Sequence, residues 1–294
     1  MILVSGGAGK TGLTVIRALA AKGHMVRALV RREDQIERIE AAGARDWSVG
    51  DLRDETTLDR AVRDVRTIYH ICPNVSPDEV EIGRRIIAAA QAAGIVHFVC
   101  HSVLHPQVEA MPHHWNKMRV EARLFESGLA YTILQPASYM QNILTGWRSI
   151  VEDGIYAIPY PPGTRLGIVD LEDVGAAACT VLTERSHAGA TYELAGPEVL
   201  TQSEVADILG RQLGRPVRVV QVARDIWAGR ARASGLGDYQ IEALMKTFAY
   251  YERFGFWGNP RILTHLLGRA PNTLEMVVAR TIQVRSEISD RPSS

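Results

Sequence analysis

The sequence has no excess of charge of either sign: Lys and Arg together number 33, and so do Asp and Glu. Holding a nucleic acid or an anionic membrane by its phosphates needs a net positive field, so the balance argues against both partners. No apolar run is long enough to cross a bilayer, and Met1 runs straight into a strand-like segment, which leaves no room for a signal peptide. Cysteine is scarce. Cys72, Cys100 and Cys179 are an odd set scattered through apolar stretches, which reads as buried thiols in a reducing compartment and not as a disulfide framework. There is no internal repeat and no low-complexity block in the 294 residues, a length that suits one large or two modest domains. Together these absences predict a cytoplasmic protein.

What is present begins at the first residue. Met1 to Val4 is a run of strand formers, and Gly6, Gly7, Ala8, Gly9, Lys10, Thr11 and Gly12 form a glycine-rich loop. Apolar residues then recur at helical spacing in Leu13, Ile16, Leu19 and Ala20. Strand, glycine turn and helix in that order is the setting of a dinucleotide fingerprint, in which a pyrophosphate sits on the open N–H groups of the helix start. Two registers fit, Gly7-x-Gly9-x-x-Gly12 and Gly6-x-x-Gly9-x-x-Gly12. A nucleoside-triphosphate loop is rejected, because it needs a glycine where Val4 stands.

Strand-like and helix-like segments alternate through the first half, with strands expected at Met1–Val4, Val26–Val30, Arg45–Val49, Thr67–Cys72, Val96–His101 and Tyr131–Leu134. The pattern predicts an α/β doubly wound parallel sheet of the Rossmann type, with a ligand crevice beyond the carboxyl ends of the strands. Residues 1–150 are expected to form the dinucleotide-binding domain, with 164–196 returning to it. Residues 197–285, with help from 151–163, are expected to form a smaller, mostly helical C-terminal domain on the substrate or partner side. The polar residues 286–294 read as a disordered tail.

The loops after the strands supply the candidates. Arg31 and Arg32 close the second strand, where an acidic residue suits NAD(H) and an arginine suits the 2′-phosphate of NADP(H), so NADP(H) is preferred. Asp51 and Leu52 follow the third strand, where the aspartate can face the adenine or merely shape a turn. Cys72 and Pro73 follow the fourth, near the expected path of the riboses.

After the fifth strand come Ser102 and then, on the next helix, His113, Trp115 and Lys117. Short-chain dehydrogenases place a serine here and a Tyr-x-x-x-Lys pair one helical turn apart, the lysine lowering the tyrosine's pKa and holding the nicotinamide ribose. Here Ser102 and Lys117 fit, but the tyrosine position is His113. His113 reads either as a proton carrier or as a structural histidine. The five histidines from His97 to His114 lack a tight ligand spacing, and no metal is assigned. Pro136, Ala137, Tyr139 and Asn142 follow the sixth strand and should close over the nicotinamide end. Tyr139 reads as a pocket wall or as a substitute proton donor, and Trp115 and Trp227 as further lining of an apolar substrate pocket.

The combination resembles the NmrA-like family of atypical short-chain dehydrogenases. The likeness rests on Gly6 to Gly12, Arg31, the His101-Ser102-Val103-Leu104-His105-Pro106 block, and His113 to Lys117. It continues through Gln135-Pro136 to Asn142, Asp170-x-x-Asp173 and Tyr192 to Pro197. The resemblance implies a Rossmann domain that binds NAD(P)(H), with a small C-terminal domain over a cleft. It does not imply one activity, since some members reduce quinones and others act as redox sensors with a protein partner. The expected function is an NADP(H)-dependent oxidoreductase of a small, mainly apolar carbonyl, enone or quinone. In it Lys117 would orient the ribose and assist proton transfer, while Ser102 and His113 would hydrogen-bond the substrate. The alternative is a non-catalytic NADP(H) sensor that binds a regulatory protein. A homo-oligomer is compatible with either.

Overall fold

A computed structural model describes residues 1–289. Its first half alternates without interruption: β1 (Ile2–Val4), α1 (Lys10–Ala21), β2 (Val26–Val30), α2 (Ile36–Ala41), β3 (Asp46–Val49) and α3 (Glu55–Ala61). Then follow β4 (Thr67–His70), α4 (Glu79–Ala92), β5 (His97–His101), α5 (Pro112–Phe125) and β6 (Tyr131–Pro136). The second half holds β7 (Ser138–Tyr139), α6 (Trp147–Asp153), β8 (Ile155–Ile158), β9 (Arg165–Val169), α7 (Leu171–Thr183) and β10 (Ala190–Leu194). It ends with β11 (Val199–Thr201), α8 (Gln202–Leu213), β12 (Arg218–Gln221), α9 (Arg224–Ala233), α10 (Asp238–Phe254), α11 (Arg261–Leu267) and α12 (Leu274–Ser289).

Seven strands form one parallel sheet in the order β10-β6-β5-β4-β1-β2-β3. Its central strand β1 is a wholly buried apolar run, Ile2-Leu3-Val4, because helices cover both faces of the sheet there. One face packs Ile16 and Leu19 of α1 and Val174 and Val181 of α7 into a core, and the other packs Ile82 and Ile86 of α4 with Phe98 and Leu124. The order reverses between β1 and β4, so a crevice opens there at the carboxyl ends of the strands.

Two small sheets, β11-β9-β7 and β12-β8, tie the later chain together. Pairing of Ser138 and Tyr139 with Ile168 and Val169 fixes β7 beside β9. The start of α7 anchors the last helices through two buried carboxylates. Asp170 binds Arg280 at 2.9 Å and Asn272 at 2.7 Å, and Asp173 binds Arg269 at 2.6 Å. Among the described residues no helix is long and apolar enough to cross a membrane.

Two local expectations need correction, and one stretch takes a form that the sequence did not signal. The fourth strand ends at His70, before Cys72, because Ser5 takes over the ladder: its hydroxyl accepts from the Ile71 N–H at 2.8 Å. Residues 138–153 form a two-residue strand, a 3-10 turn and α6, elements too short to leave a period in the sequence. Ser286–Ser289 continue α12 instead of starting a disordered tail, supported by Gln283 donating to Glu287 one turn later. Residues 290–294, the rest of that expected tail, lie outside the described residues.

Candidate functional site

The glycine loop joins β1 to α1 at the edge of the crevice. Gly12 sits so close to the turn that a Cβ there would lie 2.4 Å from the Gly6 carbonyl oxygen, and Gly6 itself has φ +62°. Gly9 caps α1 without a side chain, so the N–H groups of the first turn stay open. A Cβ on Gly9 would meet the Gly6 oxygen at 3.3 Å, so the turn leaves little room for any other residue there. The residues present therefore fit a pyrophosphate at this helix start.

Beside the loop lies a cavity of about 500 Å³. Its walls include Gly6, Arg31, Asp51, Leu52 and Pro73, with Tyr239 from the start of α10 on the far side. Arg31 is largely exposed, its Nε 3.9 Å from Asp51. Asp51 is held by the Arg53 guanidinium at 2.7 Å, a contact that brings its carboxyl down to about 2. Gln240 reaches across to the Asn74 carbonyl at 3.0 Å and ties α10 to the cavity rim.

Not every expected cofactor contact gathers here. Arg32 turns to Asp34 at 2.9 Å and does not line the cavity. Cys72 is buried beside Glu79 and does not line it either. Pro136 and Ala137 lie at the end of β6 with backbone groups already bonded: the Pro136 carbonyl accepts from Leu104, and the Ala137 N–H donates to Leu194.

The candidate catalytic residues divide into three places. On α5, His113 and Lys117 share one face. Lys117 Nζ donates to Glu79 Oε1 at 2.8 Å and to the His101 carbonyl at 3.1 Å. Burial works against the Lys117 charge, yet the Glu79 carboxylate more than offsets it and leaves its pKa above the ordinary value. His113 Nδ1 lies 3.9 Å from Glu79 Oε2, and neither atom has a hydrogen bond. Burial, then the Lys117 charge, keeps His113 well below its usual pKa, so it is neutral. Ser102 stands apart from both: its hydroxyl is buried and donates to Glu121, which also accepts two bonds from Gln135 at 3.0 Å. In this structure the Ser102 hydroxyl, expected to meet a substrate, is engaged by Glu121.

Tyr139 occupies the third place, in a second cavity of about 310 Å³. Tyr139, Asn142 and Trp227 line it, together with Ile143, Ile158 and Tyr160. Trp115, on α5, is not among the residues that line this cavity. The Tyr139 hydroxyl lies 2.6 Å from His101 Nε2, and His101 Nδ1 lies 2.6 Å from the Tyr69 hydroxyl. Thr11 donates to Tyr139 at 3.4 Å. Lys10 stands 5.3 Å from the centre of the Tyr139 ring and donates to Asn142 at 2.5 Å. The loop that fits a pyrophosphate thus reaches the wall of a cavity lined by both polar and apolar side chains.

Glu79, His101 and Tyr69 are the parts of this site that sequence reasoning missed. His101 lay within the quoted block but had no role, and no spacing connects Glu79 to Lys117. Among the described residues no group of three or more His, Cys, Asp or Glu side chains is arranged to hold a metal.

Comparison with known proteins adds to this geometry. The model of the NmrA-like family matches residues 1–282. The chain is 32% identical over 254 residues to an NAD(P)H azoreductase of Xenophilus azovorans, covering 85% of this chain and 86% of that one. The structure of an NADPH-dependent quinone oxidoreductase from Escherichia coli in complex with NADPH is similar at a TM-score of 0.83. It has 26% identity and covers 96% of this chain and all of that one. NmrA, a negative transcriptional regulator, shares the fold at a TM-score of 0.79 with 21% identity, covering 99% of this chain and 98% of its own.

Proposed function

The chain belongs to the NmrA-like family, and from that premise we propose that it is an NADPH-dependent reductase of small, mainly apolar carbonyl, enone, quinone or azo compounds. The observation that carries the reading is the junction at Lys10. It links the helix start that fits a pyrophosphate to Tyr139 and Asn142 in the wall of a cavity that Ile143, Ile158 and Trp227 also line. The relatives named for azo and quinone reduction support the same chemistry.

In this reading Gly6 to Gly12 hold the pyrophosphate, and Leu52 and Pro73 flank the adenosine. Arg31 faces the 2′-phosphate, which favours NADPH over NADH. The chemistry that NADPH would supply, when held by these residues, is hydride donation. Lys117, kept cationic by Glu79, offers its remaining N–H to the ribose. It is a fixed charge and holds its proton throughout. Trp227, Tyr160 and Ile158 exclude water around the substrate. Three buried free thiols suit a reducing, cytoplasmic setting.

The test is NADPH consumption by the purified protein with 1,4-benzoquinone, an enone, a ketone and methyl red, with NADH in parallel. Turnover with at least one of them, faster with NADPH, is the expected result. Tight NADPH binding with no turnover of any of them overturns the reading in favour of a dinucleotide-binding regulator.

A further inference from the structure

We propose that Tyr139 delivers the proton in this reduction, its O–H turned into the cavity by a His101 tautomer that Tyr69 fixes. The proposal rests on the reductase reading above and adds to it the identity of the acid.

The argument runs from the buried end outward. Tyr69 is fully buried on β4, and among the described residues its hydroxyl has one hydrogen-bond partner, His101 Nδ1. A buried O–H that donates to nothing is costly, so Tyr69 donates and Nδ1 accepts. His101 is itself buried and neutral, its pKa pushed down to about 3 by burial and then by the Lys117 charge. A neutral imidazole has one ring proton, which therefore sits on Nε2. That N–H donates to the Tyr139 oxygen at 2.6 Å, and Thr11 donates to the same oxygen at 3.4 Å. With Thr11 as donor, Tyr139 accepts from both sides, and its own hydrogen is free to turn from these two partners toward the cavity that Tyr139 lines. The opposite tautomer would strand the Tyr69 hydrogen inside the sheet.

The chemistry balances with these groups. As a substrate C=O or N=N receives the hydride, its π electron pair moves onto the heteroatom. The Tyr139 O–H bond breaks, and the proton joins that heteroatom. The phenolate left behind accepts from His101 Nε2–H and Thr11, with the Lys10 ammonium 5.3 Å from the ring centre. Water entering the cavity after product release returns the proton. Lys117 is not the donor, because Glu79 and the His101 carbonyl hold its ammonium.

Two measurements test the proposal. Nitrogen-15 NMR of the full-length, histidine-labelled protein, with His101→Gln to assign the signal, reads the tautomer without any turnover. A protonated Nε2 and a bare Nδ1 are expected, and a protonated Nδ1 overturns the proposal. Steady-state kinetics with NADPH and 1,4-benzoquinone then compare variants. Tyr139→Phe is expected to lower kcat about 100-fold, within the range of general acids. Tyr69→Phe, which keeps the buried ring, is expected to lower kcat roughly tenfold with KM and NADPH binding unchanged, and to add nothing on top of Tyr139→Phe. Wild-type turnover with an undiminished Tyr139→Phe rate overturns the proton role alone. Absence of wild-type turnover, with the expected tautomer present, overturns the reductase reading and the proton role that depends on it, while the hydrogen-bond directions stand.

Discussion

Lys117 and Glu79 form a buried ion pair, with Nζ 2.8 Å from Oε1 and side chains 9% and 3% exposed. Two charges taken out of water hold together only while both are present. Glu79→Gln is therefore expected to destabilise the fold by about 3–5 kcal/mol, because it strands the Lys117 charge. Glu79→Gln combined with Lys117→Met should recover most of that loss. Urea denaturation of the two variants measures both; equal stability of the single and double variants would contradict the pairing.

The proposed preference for NADPH rests on the different engagement of two neighbouring arginines. Arg31 lines the larger cavity and is largely exposed, whereas Arg32 is paired with Asp34. A charge-assisted bond to phosphate contributes about 1.5–3 kcal/mol. Arg31→Ala should therefore weaken NADPH binding roughly 10- to 100-fold and leave NADH binding nearly unchanged. Arg32→Ala should have the smaller effect. Fluorescence titration with both nucleotides decides, and equal losses for NADPH and NADH would refute the assignment.

In the proposed reading the smaller cavity holds the substrate. Trp227 lines it and packs edge-on against Phe248 with ring centres 4.7 Å apart, while Trp115 lies outside it. Trp227→Ala is expected to raise KM for a quinone roughly threefold or more with NADPH binding unchanged, and Trp115→Ala to leave KM alone. Equal effects of the two substitutions would mean that substrate binds elsewhere.

Acid should destabilise the protein through its buried histidines. Burial brings His70 and His101 down to about 3 and His114 to about 4, and holds His113 well below its ordinary value. Below an ordinary histidine pKa of about 6.5 the unfolded chain takes up protons that the folded chain refuses, so stability falls as pH drops from there toward about 4. Their contribution is fully present above the unfolded value. Melting temperature followed from pH 7 to pH 4 checks the sign, and His101→Gln should flatten the slope. A flat profile in the native protein would contradict neutral buried imidazoles.

The sequence made some of this architecture readable and hid the rest for definite reasons. The glycine loop, Arg31 and the His113–Lys117 face are local patterns, each lying within a few residues of one strand end or within one helical turn. Glu79 lies 38 residues before Lys117, and Tyr69 and His101 are 32 apart. Only the sheet and its covering helices bring them together, so no periodicity records the contact. Ser102 looked available because its position follows a strand, but its partner Glu121 is supplied by the next helix. The short elements from Ser138 to Asp153 likewise take their form from pairing with β9 and from tertiary packing, and not from local pattern.

Single-turnover mixing of the NADPH-loaded protein with 1,4-benzoquinone, followed by nicotinamide absorbance, tests the central claim most directly. The account predicts stoichiometric loss of the reduced nicotinamide signal in the native protein and a rate at least about 100-fold lower in Lys117→Ala, as expected when a charge that positions the cofactor is removed. Bound NADPH that stays reduced in the native protein, or a Lys117→Ala rate equal to the native one, would contradict it.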